Sequence, residues 1–327
     1  MHQIQLTNNA FEGRNSVYLL DGEGPLTLVD TGVATPAVRS ELEGKLEDVG
    51  VTFADLERVV LTHWHHDHAG LAGAIQEAGD ASVYVHEADA PLIRKDADAL
   101  ADLDDAQRRC LDQWDMPVAA RDELLSFLEI HEDFRGEPVD VTPLSDGDVI
   151  EAGPLAVEVV HLPGHAKGLA AFAFERDGRR EAFVGDAILP KYTPNVGGAD
   201  VRVERPLANY LASLERIVGL ELDRAWPGHR GPIFAPSERA RDIRTHHEER
   251  TDRVLDVLDR RGPSTAWEVS AELFGGLESI HILHGPGEAF AHLDHLVHED
   301  VVAVSDGKYD LVDPDRSAAE ALGTTGR

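Results

Sequence analysis

The chain has 327 residues, 61 acidic against 30 basic, a formal net charge of −31 and one cysteine. That length gives room for about two domains, and a charge so negative repels phosphate backbones and anionic membranes at low salt. Cys110 on its own excludes an intrachain disulfide and any thiolate-only metal cluster, which fits a reducing, cytoplasmic setting.

The opening stretch "MHQIQLTNNAFEGRNS" has neither the basic nor the apolar region of a signal peptide. No apolar run reaches the ~18 residues of a membrane span, so no membrane partner is expected. "NSVYLL" and "LTLVDTG" read as strands on either side of the turn cluster "DGEGP". "TPAVRSELEGKLEDVG" reads as a helix capped by Thr35, with Pro36 in its first turn and Gly50 as its stop. "LERVVLTHW" is a strand, "AGLAGAIQEAG" a short helix and "ASVYVHE" another strand. From about 88 to 132 the periodicity is helical with acidic outer faces. This is an insertion between strands, either plain packing helices or a lid or wall over a site.

Strand signals return in "DVIEAGPLAVEVVHLPGH", "GLAAFAFERDGRREAFVGDAIL" and "DRAWPGH", with a hairpin at "RDGR" and an amphipathic helix at "PLANYLASLERIVGL". No Gly-rich dinucleotide or phosphate loop sits at a strand–helix junction. The pattern is α/β, with packed sheets covered by helices. After a boundary near 232–238, three helices are expected: "SERARDIRTHHEERTDRVLDVLDRRG", "STAWEVSAELFG" with Ser264 as its cap, and "EAFAHLDHLVHED". The hairpin "VVAVSDGKYDLV" follows, completing the pattern of a winged helix.

The chemistry is concentrated in "HWHHDH", His63 to His68, with four histidines and one aspartate in six residues. At a strand end, His63 and His65 point the same way and converge. Asp67 and His68 follow in the loop and can aim at a second point, while His66 falls out of phase. Imidazoles with a carboxylate suit zinc, and also iron or manganese. His165, Asp186 and His229 each follow a predicted strand and each stand beside a glycine, where backbones can crowd together.

"THWHHDHAG" followed by "PGH", "GDA" and "PGH" resembles the metallo-β-lactamase superfamily over roughly residues 1–232. The resemblance implies an αββα sandwich with two metal ions, expected to be Zn2+, at one edge. His63, His65 and His165 would hold one ion and Asp67, His68 and His229 the other. Asp186 would bridge both, with a water or hydroxide between them. Asp30, in "LVDTG", would accept a hydrogen bond from a ligand histidine. The implied activity is hydrolysis by a metal-bound hydroxide, with Asp67 orienting it and taking its proton. An aspartate at 186, where lactam-hydrolysing relatives carry cysteine, resembles the hydrolases of esters, thioesters and phosphodiesters. His65 argues against the flavodiiron relatives. The motif is shared with mononuclear iron persulfide dioxygenases, so an oxidoreductase of that kind stays open.

The tail from "RDIRTHHEERTDRVLDVL" onward resembles the winged-helix tail of the β-lactamase-like-protein branch, which includes single-strand endoribonucleases and polyketide thioesterases. The expected partner is therefore a small ester or thioester, with RNA an alternative. No DNA partner is expected, because "EAFAHLDHLVHED" carries no Lys or Arg for phosphates. A winged-helix nucleic-acid regulator is the remaining alternative. Lys167, Lys191 and Tyr192 are candidate substrate contacts, and Trp64 a candidate wall. His292, His295 and His298 recur on one helix face, which suits either a mixed or interdomain face or a second metal site. With only five lysines, the acidic composition resembles that of halophilic proteins.

Overall fold

The computed structural model describes residues 1–8, 13–130, 132–314 and 316–323. A six-stranded sheet is built, in spatial order, from β1 (His2–Leu6), β2 (Asn15–Leu20), β3 (Thr27–Val29), β4 (Arg58–Val60), β5 (Ser82–His86) and β6 (Val141–Leu144). β1–β3 are antiparallel, and β3–β6 run parallel. The second sheet has the order β11–β10–β9–β8–β7, from β7 (Val149–Ala152), β8 (Leu155–His161), β9 (Ala170–Arg176), β10 (Arg179–Gly185) and β11 (Arg224–Pro227).

The two sheets pack face to face. Tyr18, Leu20, Val29 and Val60 of the first share a core with Val157, Phe172, Phe183 and Trp226 of the second. Their immediate neighbours Val17, Leu19, Leu28 and Val59 point the other way, into a core under α1 (Pro36–Glu47). Successive residues in a strand face opposite sides, so a strand covered on both sides must be apolar throughout. This is why "NSVYLL" is buried along its whole length. The outer face of the second sheet lies under α7 (Pro206–Gly219) and α8 (Pro236–Arg261). Helix, sheet, sheet and helix thus form four layers.

Between these elements lie α2 (His66–Ala69), α3 (Ala72–Gly79), α4 (Ala90–Arg94), α5 (Ala97–Gln113) and α6 (Val118–Ile130). After α8 come α9 (Ala266–Phe274), α10 (His281–His298), the hairpin β12 (Val302–Ser305) with β13 (Lys308–Leu311), and α11 (Ala318–Ala321). The 88–132 insertion does not stand alone. Leu111, Trp114 and Leu124 share one core with Val254, Leu258 and Leu293 of the C-terminal segment.

Local chemistry explains where the elements differ from expectation. α1 starts as predicted, with the Thr35 hydroxyl accepting from the Val38 N–H at 3.3 Å. α9 is capped by Thr265 and not by Ser264. Thr265 forms a reciprocal box with Glu268, whereas the Ser264 backbone is paired with Tyr309 of β13. β1 and β6 are additional strands. β6 carries Pro143, which argues against a strand in the sequence; it sits at the sheet edge, where a missing N–H is tolerated. α10 begins seven residues before the predicted run and passes through Gly285, Pro286 and Gly287. That segment lies against the backbone of residues 197–198, so close that a Cβ on Gly287 would stand 2.3 Å from Gly198 Cα. The glycines that look like a break in the sequence are the contact surface of the helix.

The histidines of α10 lie on a mixed face. His292 is buried against His247 of α8 with ring nitrogens 3.3 Å apart, His295 reaches the Ala321 carbonyl, and His298 is exposed. His247, Glu288 and His292 bring potential ligand atoms within 4.8 Å of one another. Glu288 is held there by Arg250 at 2.9 Å and Asn195 at 2.9 Å, and His292 by Thr251 at 2.8 Å.

Burial holds His247 at about 3 and His292 well below the ordinary imidazole value. Both stay neutral in the fold at pH values where the unfolded chain protonates. The unfolded state then binds more protons, so stability falls as pH drops below about 6.5. Denaturant titrations from pH 7.5 to 5 should show a loss approaching about 1.4 kcal/mol per pH unit for each histidine. His292→Gln should lessen that slope.

Candidate metal centre

The seven predicted ligands meet. β4 ends at Val60, so His63 and His65 lie beyond the strand, and Asp67 and His68 occupy the single helical turn of α2. His165 follows β8, Asp186 follows β10, and His229 follows β11. His65 Nδ1 is 2.9 Å from His63 Nε2 and 3.1 Å from His165 Nε2. Asp67 Oδ2 is 3.4 Å from His229 Nε2 and 3.8 Å from His68 Nε2. Asp186 touches both groups: Oδ2 is 3.3 Å from His229 and 3.7 Å from His165, and Oδ1 is 3.6 Å from His68. Two glycines make room. A Cβ on Gly228 would meet His68 and Asp186 at about 2.5 Å, and one on Gly185 would strike Thr62.

The outer hydrogen bonds set the tautomers. Thr62 Oγ1 donates to Asp30 Oδ2 and therefore accepts from His63 Nδ1, at 3.0 Å. His68 Nδ1 donates to Asp30 Oδ2 at 2.9 Å, His65 Nε2 to the Ala199 carbonyl at 3.0 Å, and His165 Nδ1 to the Asn195 carbonyl at 2.9 Å. In each of the four rings the nitrogen facing the centre is thus left with its lone pair. His68 Nε2, His229 Nε2 and Asp186 Oδ1 are buried without a hydrogen-bond partner. Buried polar groups are ordinarily satisfied, and convergent lone pairs beside carboxylates are satisfied by cations. The donor set fits divalent metal ions.

Charge follows the same division. Burial, then the neighbouring imidazoles, hold His63 well below its ordinary value and His65 at about 3; burial also lowers His165. Burial opposes a charge on His68 and His229 too, but Asp67 and Asp186 outweigh it and raise both. Burial works against ionising Asp186 and Asp67, yet the neighbouring histidines, His229 and His68, hold both carboxyls below the usual range.

Several supporting residues carry no sequence signal. Asn8 and Asn15 amides each donate to Asp67 Oδ2 at 3.2 Å. Asp89 accepts from the Trp64 and Gly168 N–H groups, and Asp200 from Trp64 Nε1 and the Lys167 N–H, with Arg202 paired to both carboxylates. The loop supplying the Ala199 and Asn195 carbonyls is tied to α10, because Asn195 Nδ2 donates to the His284 carbonyl and to Glu288. Asp30 is the outer acceptor that "LVDTG" predicts. Trp64 lines the cleft, while Lys167, Lys191 and Tyr192 are exposed and are not among the described residues lining it.

Residues 10–229 match the family model described as "Metallo-beta-lactamase superfamily". The chain is 28% identical over 297 residues to a probable metallo-hydrolase, YqjP, of Bacillus subtilis, covering 88% of each. It is 25% identical over 251 residues to a beta-lactamase-like protein 2 homolog of Drosophila melanogaster, covering 76% of this chain and 70% of that one. Among solved structures, the metallo-beta-lactamase family protein TTHA1429 of Thermus thermophilus superposes with a TM-score of 0.82 at 32% identity, covering 95% of this chain and 98% of that one.

Asp30 holds His68 through one oxygen and the Thr62 N–H through the other. Asp30→Asn places an amide where a carboxylate oriented the ring. Metal affinity measured by competition with a chromophoric chelator should fall about 10- to 100-fold, with the fold retained.

Proposed function

The chain belongs to the metallo-β-lactamase superfamily and is a metallo-hydrolase, and on that premise we propose a dinuclear centre that cleaves small carboxylic esters or thioesters. His63, His65 and His165 would hold one ion and Asp67, His68 and His229 the other, with Asp186 available to both. Zn2+ suits the donors best, with Fe or Mn also accommodated. The observation that carries this reading is the contact of Asp186 with both clusters through its two oxygens. When bound, the metals supply a Lewis-acid pair that ionises water and polarises a carbonyl.

The protein's own part is orientation and proton transfer. Asn8 and Asn15 fix Asp67 through Oδ2, and Oδ1 accepts no hydrogen bond from the described residues. Ionised Oδ1 takes the proton from the attacking water. Neither a serine nor a cysteine nucleophile is needed, and Cys110 lies in the core shared by the insertion and the C-terminal helices. The cleft beside the ligands has about 920 Å³ of empty space counting its open mouth, the size of a small-molecule site. One wall comes from the 88–132 insertion and another from α10. We read residues 1–232 as the catalytic unit and 233–327 as a winged-helix-like unit whose role is to pack and to wall the cleft. A nucleic-acid strand is disfavoured as a partner by the excess of 61 acidic over 30 basic residues.

A panel of a carboxylic ester, a thioester and single-stranded RNA tests this reading. The wild type should cleave the ester or thioester and bind close to two metal ions per chain, with activity lost to chelation and restored by Zn2+. Asp67→Asn should lower kcat by about 10²- to 10⁴-fold. Hydrolysis that survives His65→Ala would refute the mechanism, and one iron with no zinc would favour an oxygenase.

A further inference from the structure

The cleft beside the metal ligands has one lysine or arginine among its described lining residues, Arg135. It stands at the end of the 3-10 turn Glu132–Arg135, just past α6, and is half-buried. Several other partly buried arginines in this acidic chain are paired with carboxylates, Arg202 with Asp89 and Asp200, Arg250 with Glu288, and Arg121 with Asp112, while Arg224 and Arg230 lie over aromatic rings. Arg135 makes no hydrogen bond or ion pair with any of the described residues. A guanidinium part-removed from water without a carboxylate loses hydration, and no hydrogen bond from the described residues replaces it. The cleft's apolar lining comes from Phe127 and Leu128 of α6 and from Ile280 and Leu283 of the C-terminal segment, while on its other sides Arg135 borders Lys95 and Glu137, and Asp104, Arg108 and Glu129. Gln107 adds an uncharged polar group.

We propose that Arg135 recognises the substrate through a charge: the preferred ester or thioester carries one anionic group, away from the scissile carbonyl, on an apolar body. This rests on the hydrolase reading above and names its substrate class. The ligands attract the reacting carbonyl, the apolar walls bury the body, and the Arg135 fork pairs with a carboxylate, sulfonate or phosphate monoester. A single cation matches a single anion. A polyanionic strand would need a series of them.

The test is calorimetric binding to the metal-loaded protein of two probes of equal length, 4-phenylbutane-1-sulfonate and 4-phenylbutan-1-ol. A sulfonate is a poor metal ligand, so its advantage reports on the cation and not on the centre. The wild type should bind the sulfonate at least about tenfold tighter than the alcohol. Arg135→Gln should bring the two within about twofold and leave alcohol binding unchanged, and Arg135→Lys should keep part of the preference. Equal binding of both probes by the wild type overturns the proposal, as does a preference that survives Arg135→Gln. Loss of short single-stranded RNA binding in Arg135→Gln with sulfonate binding intact overturns it in favour of RNA. A sulfonate preference in a protein that cleaves no ester or thioester supports the anion site and counts against the hydrolase reading.

Discussion

The structure depends on one electrostatic constraint. Five imidazoles and two carboxylates are brought to one place, most of them out of contact with water. Burying such groups unpaired is costly, and no set of hydrogen bonds among seven acceptor-facing groups can satisfy them all. The surrounding chain resolves this by directing the N–H of four of the five imidazoles outward. Thr62, Asp30, Ala199 and Asn195 each take an imidazole N–H, which leaves the lone pairs pointing inward. A bound cation would balance a site whose geometry the protein has fixed beforehand.

The two-sheet architecture is what makes the convergence feasible. Strands from both sheets stop at the same edge, and each ligand-bearing loop leaves from such a stop. Ligands separated by more than a hundred residues then need only short loops to meet. The glycines at 185 and 228 are required because the loops pass where a Cβ would collide with Thr62 or with the ligands themselves.

The C-terminal segment takes part in the centre without touching the ligand atoms. α10 lies on the 195–199 loop through Gly287 and holds Asn195 through Glu288 and the His284 carbonyl. That loop in turn orients His65 and His165. The same helix shares a core with the 88–132 insertion and walls the cleft, so the cleft wall and the loop that orients His65 and His165 rest on one packed element.

The sequence by itself determined which seven side chains of metal-ligating type converge, that Asp30 accepts a hydrogen bond from one of them, and that apolar strands in an acidic chain fold as layered sheets under helices. These properties are local, because ligand residues cluster at strand ends beside glycines and strand burial shows as apolar runs. Tertiary structure alone decided which groups orient these side chains and which residues line the cleft. Ala199 and Asn195 act on the ligands through main-chain carbonyls, which every residue possesses, and so leave no trace in residue identity. Lys167, Lys191 and Tyr192 stand near ligands in sequence yet are exposed off the cleft, while Arg135, far from any motif, lines it. Proximity along the chain predicts a ligand when the backbone itself carries it to the sheet edge. It cannot predict a wall contributed by an inserted helix that only long-range packing brings into place.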